Sequence, residues 1–241
     1  MTIRQILRRL YFSCILFFAV AAVPGILSAQ AFEGEIKMEM SSPMLGTQKV
    51  PIIFEVKGDK VLQSADDPKA GKITVYTDMK AGTQIIVQEA QKQGMEIDQT
   101  MIDSVMKKMK MQPLIPKEAG KKEKISGYNC ELYTIMIDST QEMDLWLTKE
   151  FPKNIAEGIR NCTDAGMKNT GIKSDALMAL LRTGYAQVRM DVKQGGVTQF
   201  SNQYISAEPK KLSEAMFTVP SDIKVTKFDP AAMGSGGAGG Q

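Results

Sequence analysis

Histidine is absent from all 241 residues, and that absence limits the available chemistry more than any motif present does. It removes the usual general base at neutral pH, the Ser–His and Cys–His pairs, and the commonest zinc ligand. What remains is sulfur and carboxylate chemistry. Cys130 and Cys162 are the two cysteines beyond an apolar N-terminal run that holds the third, Cys14. In an exported protein such a pair is oxidised more often than not, which makes Cys130–Cys162 the expected disulfide. Closing a loop of roughly 30 residues would stabilise the fold by about 3 to 4 kcal/mol in the chain-entropy model. The bland alternative is two buried thiols, because both cysteines fall on expected apolar faces. A redox pair is disfavoured, since no Cys-x-x-Cys is present.

Met101, Met106, Met109 and Met111 look superficially like a soft-sulfur array for Cu(I). However, Met106 and Met109 also form, with Ile102 and Val105, the apolar stripe of a helix, and methionine is a common filler of irregular cores. A third use follows from the flexibility of the thioether: a methionine-bearing helix laid over a sheet can line a hydrophobic ligand. Ile102, Val105, Met106 and Met109 are the candidate ligand-binding residues on that reading, with Trp146 as the fifth. Trp146 shares its strand face with Asp144 and Thr148, and is either an exposed contact aromatic or a ring packed under a helix. Asp66-Asp67 before Pro68 is read as a turn rather than a cation site, because no third ligand lies near. Asn161-Cys162-Thr163 fits a glycosylation acceptor, relevant only in a eukaryotic secretory pathway. No catalytic residue, metal site or cofactor is assigned.

The elements that must position these residues begin after a leader. Met1 to Arg9 carries three arginines, Leu10 to Leu27 is overwhelmingly apolar, Pro24-Gly25 breaks a helix, and Ala29-Gln30-Ala31 offers small residues for cleavage. Residues 1–31 are therefore read as a signal peptide and the mature chain as periplasmic or secreted. A spanning anchor would need roughly 20 apolar residues without such a break. The chain has 30 lysines and arginines against 27 acidic residues. Removing Arg4, Arg8 and Arg9 leaves 27 of each sign, so the mature chain has no electrostatic pull toward nucleic acid or anionic lipid.

Period-two alternation marks strands at 32–40, 50–56, 60–63, 71–78 and 83–88, an antiparallel meander. A helical period follows at 97–112, ended by Pro113, and the lysine-rich PKEAGKKEK of 116–124 reads as a solvated loop. Gly127 to Lys149 reads as two long strands about a polar turn at Asp138-Ser139-Thr140. Helices are predicted at 151–162 and 174–183, then strands at 187–193 and 197–206, a short segment at 212–217 and a closing stretch toward Phe228. The glycine-rich 231–241 reads as a disordered tail.

Three passages carry a resemblance: Lys124-Ile125-Ser126-Gly127-Tyr128-Asn129-Cys130-Glu131-Leu132-Tyr133, the later Leu145-Trp146-Leu147-Thr148, and Phe217-Thr218-Val219-Pro220. With the order of elements, they resemble the bacterial domain of unknown function 4412 family over most of the mature chain. That resemblance implies an exported envelope component; many such proteins are lipidated, whereas this sequence lacks a lipobox cysteine. The architecture is also similar to the half-barrel of periplasmic lipoprotein carriers, in which a curved antiparallel sheet with helices on its concave side shelters an acyl chain.

The expectation is one α+β domain over 32–230: a strongly curved antiparallel sheet (half-barrel) of about nine or ten strands, with two or three helices covering one face. Function on this reading is non-enzymatic binding or carriage of a hydrophobic small molecule or acyl chain. The alternative is an envelope protein–protein interaction domain using a sheet edge and Trp146, and Cu(I) binding is third.

Overall fold

A computed structural model describes residues 32–46, 48–67, 71–98, 114–160 and 175–228. Its centre is one open sheet of twelve strands. These are β1 (Glu33–Ser41), β2 (Val50–Lys57), β3 (Lys60–Asp67), β4 (Gly71–Asp78), β5 (Thr83–Gln88), β6 (Gln93–Asp98), β7 (Lys117–Ile125), β8 (Tyr128–Met136), β9 (Gln141–Thr148), β10 (Ala186–Gln194), β11 (Val197–Pro209) and β12 (Lys224–Lys227). They lie in the order β12-β6-β5-β4-β3-β2-β1-β11-β10-β9-β8-β7. Two α-helices are described, α1 over 153–160 and α2 (Asp175–Arg182).

The meander β1 to β5 and the hairpin β8–β9 stand as the alternation predicts, with Ile135 opposite Met143 and Tyr133 opposite Leu145. Asp138 closes that hairpin: its Oδ1 accepts from the amides of Thr140 at 2.6 Å and Gln141 at 2.8 Å. The strand count is twelve rather than nine or ten because three segments escape a pattern search. Residues 117–125 form β7, not a loop. Its first eight residues are all exposed, so no apolar alternation marks it, and backbone pairing with β8 together with surface ion pairs such as Lys122–Glu131 holds it in the sheet. β6 is short and begins Gln93-Gly94, and β12 pairs with it in parallel, which departs from the all-antiparallel expectation. Asp66 and Asp67 end β3 instead of lying in a turn.

The sheet is curved as well as open. Ser126, in the β7–β8 turn, donates to the Tyr204 carbonyl of β11 at 2.8 Å, and Arg189 of β10 reaches Glu123 of β7 at 3.5 Å. A flat sheet would separate β8 from β11 by about 14 Å, three strand spacings, so this end must roll over itself.

The two faces differ sharply in charge. Because directly opposed residues share a face, the registers define rows across the sheet. One row runs Tyr204, Met38, Ile52, Ala65, Ile73, Gln88; the next runs Ala207, Ile36, Phe54, Gln63, Val75, Ile86, Met95. A third runs Gly34, Val56, Val61, Thr77, Gln84, Ile97, and none of the three contains a charged side chain. The opposite face carries Glu33, Glu35, Lys37, Glu39, Glu55 and Lys57.

α1 packs on the uncharged side. A Cβ on Gly34 would meet the Phe32 ring, and a Cβ on Gly158 of α1 would meet Phe32 Cβ at 3.4 Å, so Phe32 is wedged between strand and helix. Ile155 and Ile159 of α1 and Leu177, Met178 and Leu181 of α2 join one buried cluster with Ile36, Met38, Ile52, Leu145 and Met190. The predicted helices at 151–162 and 174–183 thus stand where they are described, over 153–160 and Asp175–Arg182, and Gly184, at φ +99, ends α2. The third expected helix, 97–112, lies outside the described residues apart from Ile97 and Asp98, which belong to β6.

The charged face predicts acid sensitivity. Glu35 accepts from Lys210, which holds its carboxyl below the usual range, and Lys37 adds to this. Glu89, bonded by Thr74 and Lys72, is lowered likewise. A carboxylate with a depressed folded pKa contributes stability above its unfolded value and loses it as pH falls through the folded value. The melting temperature is therefore expected to hold from neutral pH to about pH 5 and fall below it, with Lys210→Met flattening part of the fall.

Candidate functional site

Of the residues singled out from sequence, Ile102, Val105, Met106 and Met109 lie outside the described residues, as do Met101, Met111 and Cys162. Cys130 is described, and it is a free, buried thiol rather than half of the expected bond. Its Sγ turns back to the Tyr128 carbonyl of its own strand at 3.5 Å. Burial pushes the thiol pKa up to about 11. The thiolate is the nucleophile, so in the reduced, folded protein Cys130 should resist iodoacetamide at about pH 8 and react only when urea unfolds the chain. Mass spectrometry of the alkylated peptide checks this, and rapid native labelling would contradict it.

Trp146 is a packed ring, not a contact aromatic. It is 6% exposed, in a strand buried on both faces from Met143 to Thr148. The Arg189 guanidinium lies over it, 5.0 Å from the ring centroid, held by Asp191 at 3.0 Å and Glu123 at 3.5 Å. The indole Nε1–H has no hydrogen-bond partner.

A groove of about 510 Å³ opens beside β7, β8 and the end of β9. Its polar wall is a chain of bonds: Lys122 donates to Glu131 at 2.7 Å, Tyr185 donates to the other Glu131 oxygen, and Tyr133 approaches Tyr185 at 3.3 Å. Lys149 sits 4.4 Å from the centre of the Tyr185 ring. Desolvation, with the Glu131 bond, drives the Tyr185 pKa far above the ordinary phenol value, while Lys122 and Tyr185 hold Glu131 below its own. Neither group changes protonation near neutral pH, so the cluster is a fixed network and not a poised acid–base pair.

The uncharged face holds the other unusual feature. Gln63, Thr77 and Gln84 are buried among its apolar rows at 3%, 5% and 6% exposure. Gln63 Oε1 and Gln84 Nε2 meet no hydrogen-bonding partner. Sequence reading passed over them because glutamine at a strand end reads as solvent-facing. The available signal was the parity that places Gln63 with Val61 and Ala65.

An open, curved twelve-stranded sheet with two described helices, one of whose faces is free of charged side chains along its central rows from β1 to β6, defines an α+β protein built around a large sheet surface. The chain belongs to the family described as domain of unknown function 4412, whose model matches residues 32–223. No curated protein matches it. Among solved structures it is similar to MucB of Pseudomonas aeruginosa in complex with MucA, at 10% identity and TM-score 0.39 over 80% of this chain and 58% of that one. PNGF-II is similar at 14% identity and TM-score 0.45, over 84% of this chain and 32% of that one. The neighbours also include a LolA superfamily protein from Nitrosomonas europaea, at 10% identity and TM-score 0.34 over 80% and 92%. The chain thus spans less than two thirds of the first solved structures it matches.

Proposed function

We propose that this chain is a non-enzymatic binding or carrier module, exported to the bacterial periplasm, that takes a hydrophobic, lipid-like ligand on the uncharged face of its sheet. The observation that carries the reading is the charge asymmetry itself. Three successive rows without a charge cross from β1 to β5, while the reverse face carries Glu33, Glu35, Lys37, Glu39, Glu55 and Lys57 on β1 and β2 and continues through Leu62, Tyr76 and Ile85 on β3 to β5. An apolar surface with a few placed polar groups is the common make-up of a small-molecule seat.

Two features favour this over a scaffold role. Trp146 is covered by Arg189, and both sheet edges are blunted. β7 carries four lysines and a break in pairing around Gly120, at φ +68, and β12 has only four residues; such devices discourage strand addition. The fixed protonation of Glu131 and Tyr185 supports a non-enzymatic role.

Native mass spectrometry of protein recovered from the periplasm tests the proposal. A lipid-sized adduct that organic extraction removes is expected. A bare mass with no extractable lipid rejects it, and a stable protein partner captured without lipid favours the scaffold role.

A further inference from the structure

We infer that Gln63 and Gln84 are the polar anchors of the ligand seat and select an uncharged, dipolar group, namely the ester, amide or hydroxyl of an otherwise apolar ligand, over a carboxylate or phosphate. The inference rests on the carrier reading and deepens it.

Both side chains project from the same face. Gln63 lies opposite Val75, and Gln84 lies opposite Thr77, which in turn opposes Val61. The two glutamines are two strands and one row apart, about 12 Å along the diagonal. One head group can meet both amides only if the two side chains lean toward it. Each is more than nine-tenths buried, and each presents an unpaired polar atom, an acceptor at Gln63 Oε1 and a donor at Gln84 Nε2. Amide orientation is interchangeable, so each can offer either role. Native proteins rarely leave buried amides unpaired, and an unsatisfied pair on one face marks a place where an outside partner completes the bonds.

The neighbours decide the ligand's charge. Among the described residues, the sheet rows around the two amides carry Val61, Val75, Thr77, Ile86 and Ile97, with no cation to pair an anionic head and no carboxylate to pair a cationic one. An ionised head group there would be desolvated without compensation, whereas an ester carbonyl or hydroxyl matches a neutral amide.

The test compares monoolein with oleate, which share an acyl chain and differ in head-group charge, by titration calorimetry on the full mature protein and on its Gln63→Met/Gln84→Met double variant. Monoolein is expected to bind the wild type at least about tenfold more tightly than oleate. The double variant should lose about tenfold for monoolein and leave oleate unchanged, as expected for hydrogen bonds to neutral groups. Without ligand, its melting temperature should hold or rise, because methionine fills a similar volume and removes an unpaired amide. Oleate binding as tightly as monoolein, or monoolein unaffected by the double variant, overturns the inference while leaving the carrier reading intact. Failure of both lipids to bind the wild type overturns both. The wild-type comparison needs no variant and stands even if the double variant folds poorly.

Discussion

Ile52→Lys is expected to cost at least about 4 kcal/mol, most of the stability of a chain at the low end of the usual range of about 5 to 15 kcal/mol. Ile52 is fully buried, between Met38 on one side and Ala65 on the other, in a row without charges. An ammonium placed there loses its hydration and finds no carboxylate to replace it. The control is Ser64→Lys. Ser64 opposes Ile53 on the reverse face and is only half-buried, so its substitution should change stability by no more than about 0.5 kcal/mol. Urea midpoints read by circular dichroism measure both. Equal effects at the two positions would mean that the faces are not distinct environments.

The second large effect comes from a single methyl group. Gly34→Ala would set its Cβ 2.3 Å from the Glu208 carbonyl oxygen, 2.9 Å from Pro209 Cα and 2.8 Å from the tip of the Phe32 ring. Two of these atoms are backbone of β11, so relief requires β1 and β11 to part where Gly34 faces Pro209. That junction joins the first strand to the last long one, and it also seats Phe32 against α1. A loss of about 3 kcal/mol is expected, with hydrogen exchange quickening first in β1 and β11. A variant as stable as the parent would show that β11 can move away without cost.

Most of the fold was legible in sequence because its strands bury one face against water on the other. β1 shows this plainly: Ile36, Met38 and Met40 are buried while Glu35, Lys37 and Glu39 are not. α2 was legible because Leu177 and Leu181 recur at helical spacing before a glycine. β7 was illegible for the opposite reason: with no buried face until Ile125, its residues keep no record of the neighbour that holds them. β12 was hidden because a four-residue strand is too short to display a period, and its partner β6 is distant in sequence.

The candidate site was less legible than the fold. Trp146 left two readings open because its face-mates Asp144 and Thr148 are polar, and packing is the one that holds: both are buried, Asp144 with bonds to Thr134 and Lys193 and Thr148 with a bond to the Asn129 carbonyl. Gln63 and Gln84 went unnoticed because a polar residue in an alternating strand is assigned to solvent unless the register across several strands is known. The cysteine pairing rested on export alone, and export specifies an oxidising compartment without specifying geometry.

Photocrosslinking with a diazirine-bearing monoacylglycerol, mapped by peptide mass spectrometry, tests most directly whether the uncharged face is the ligand seat. Labels on Val61, Val75, Ile86 or their row neighbours, lost when unlabelled monoolein competes, are the predicted result. Labels confined to the glutamate- and lysine-bearing face, or scattered without competition, would contradict it.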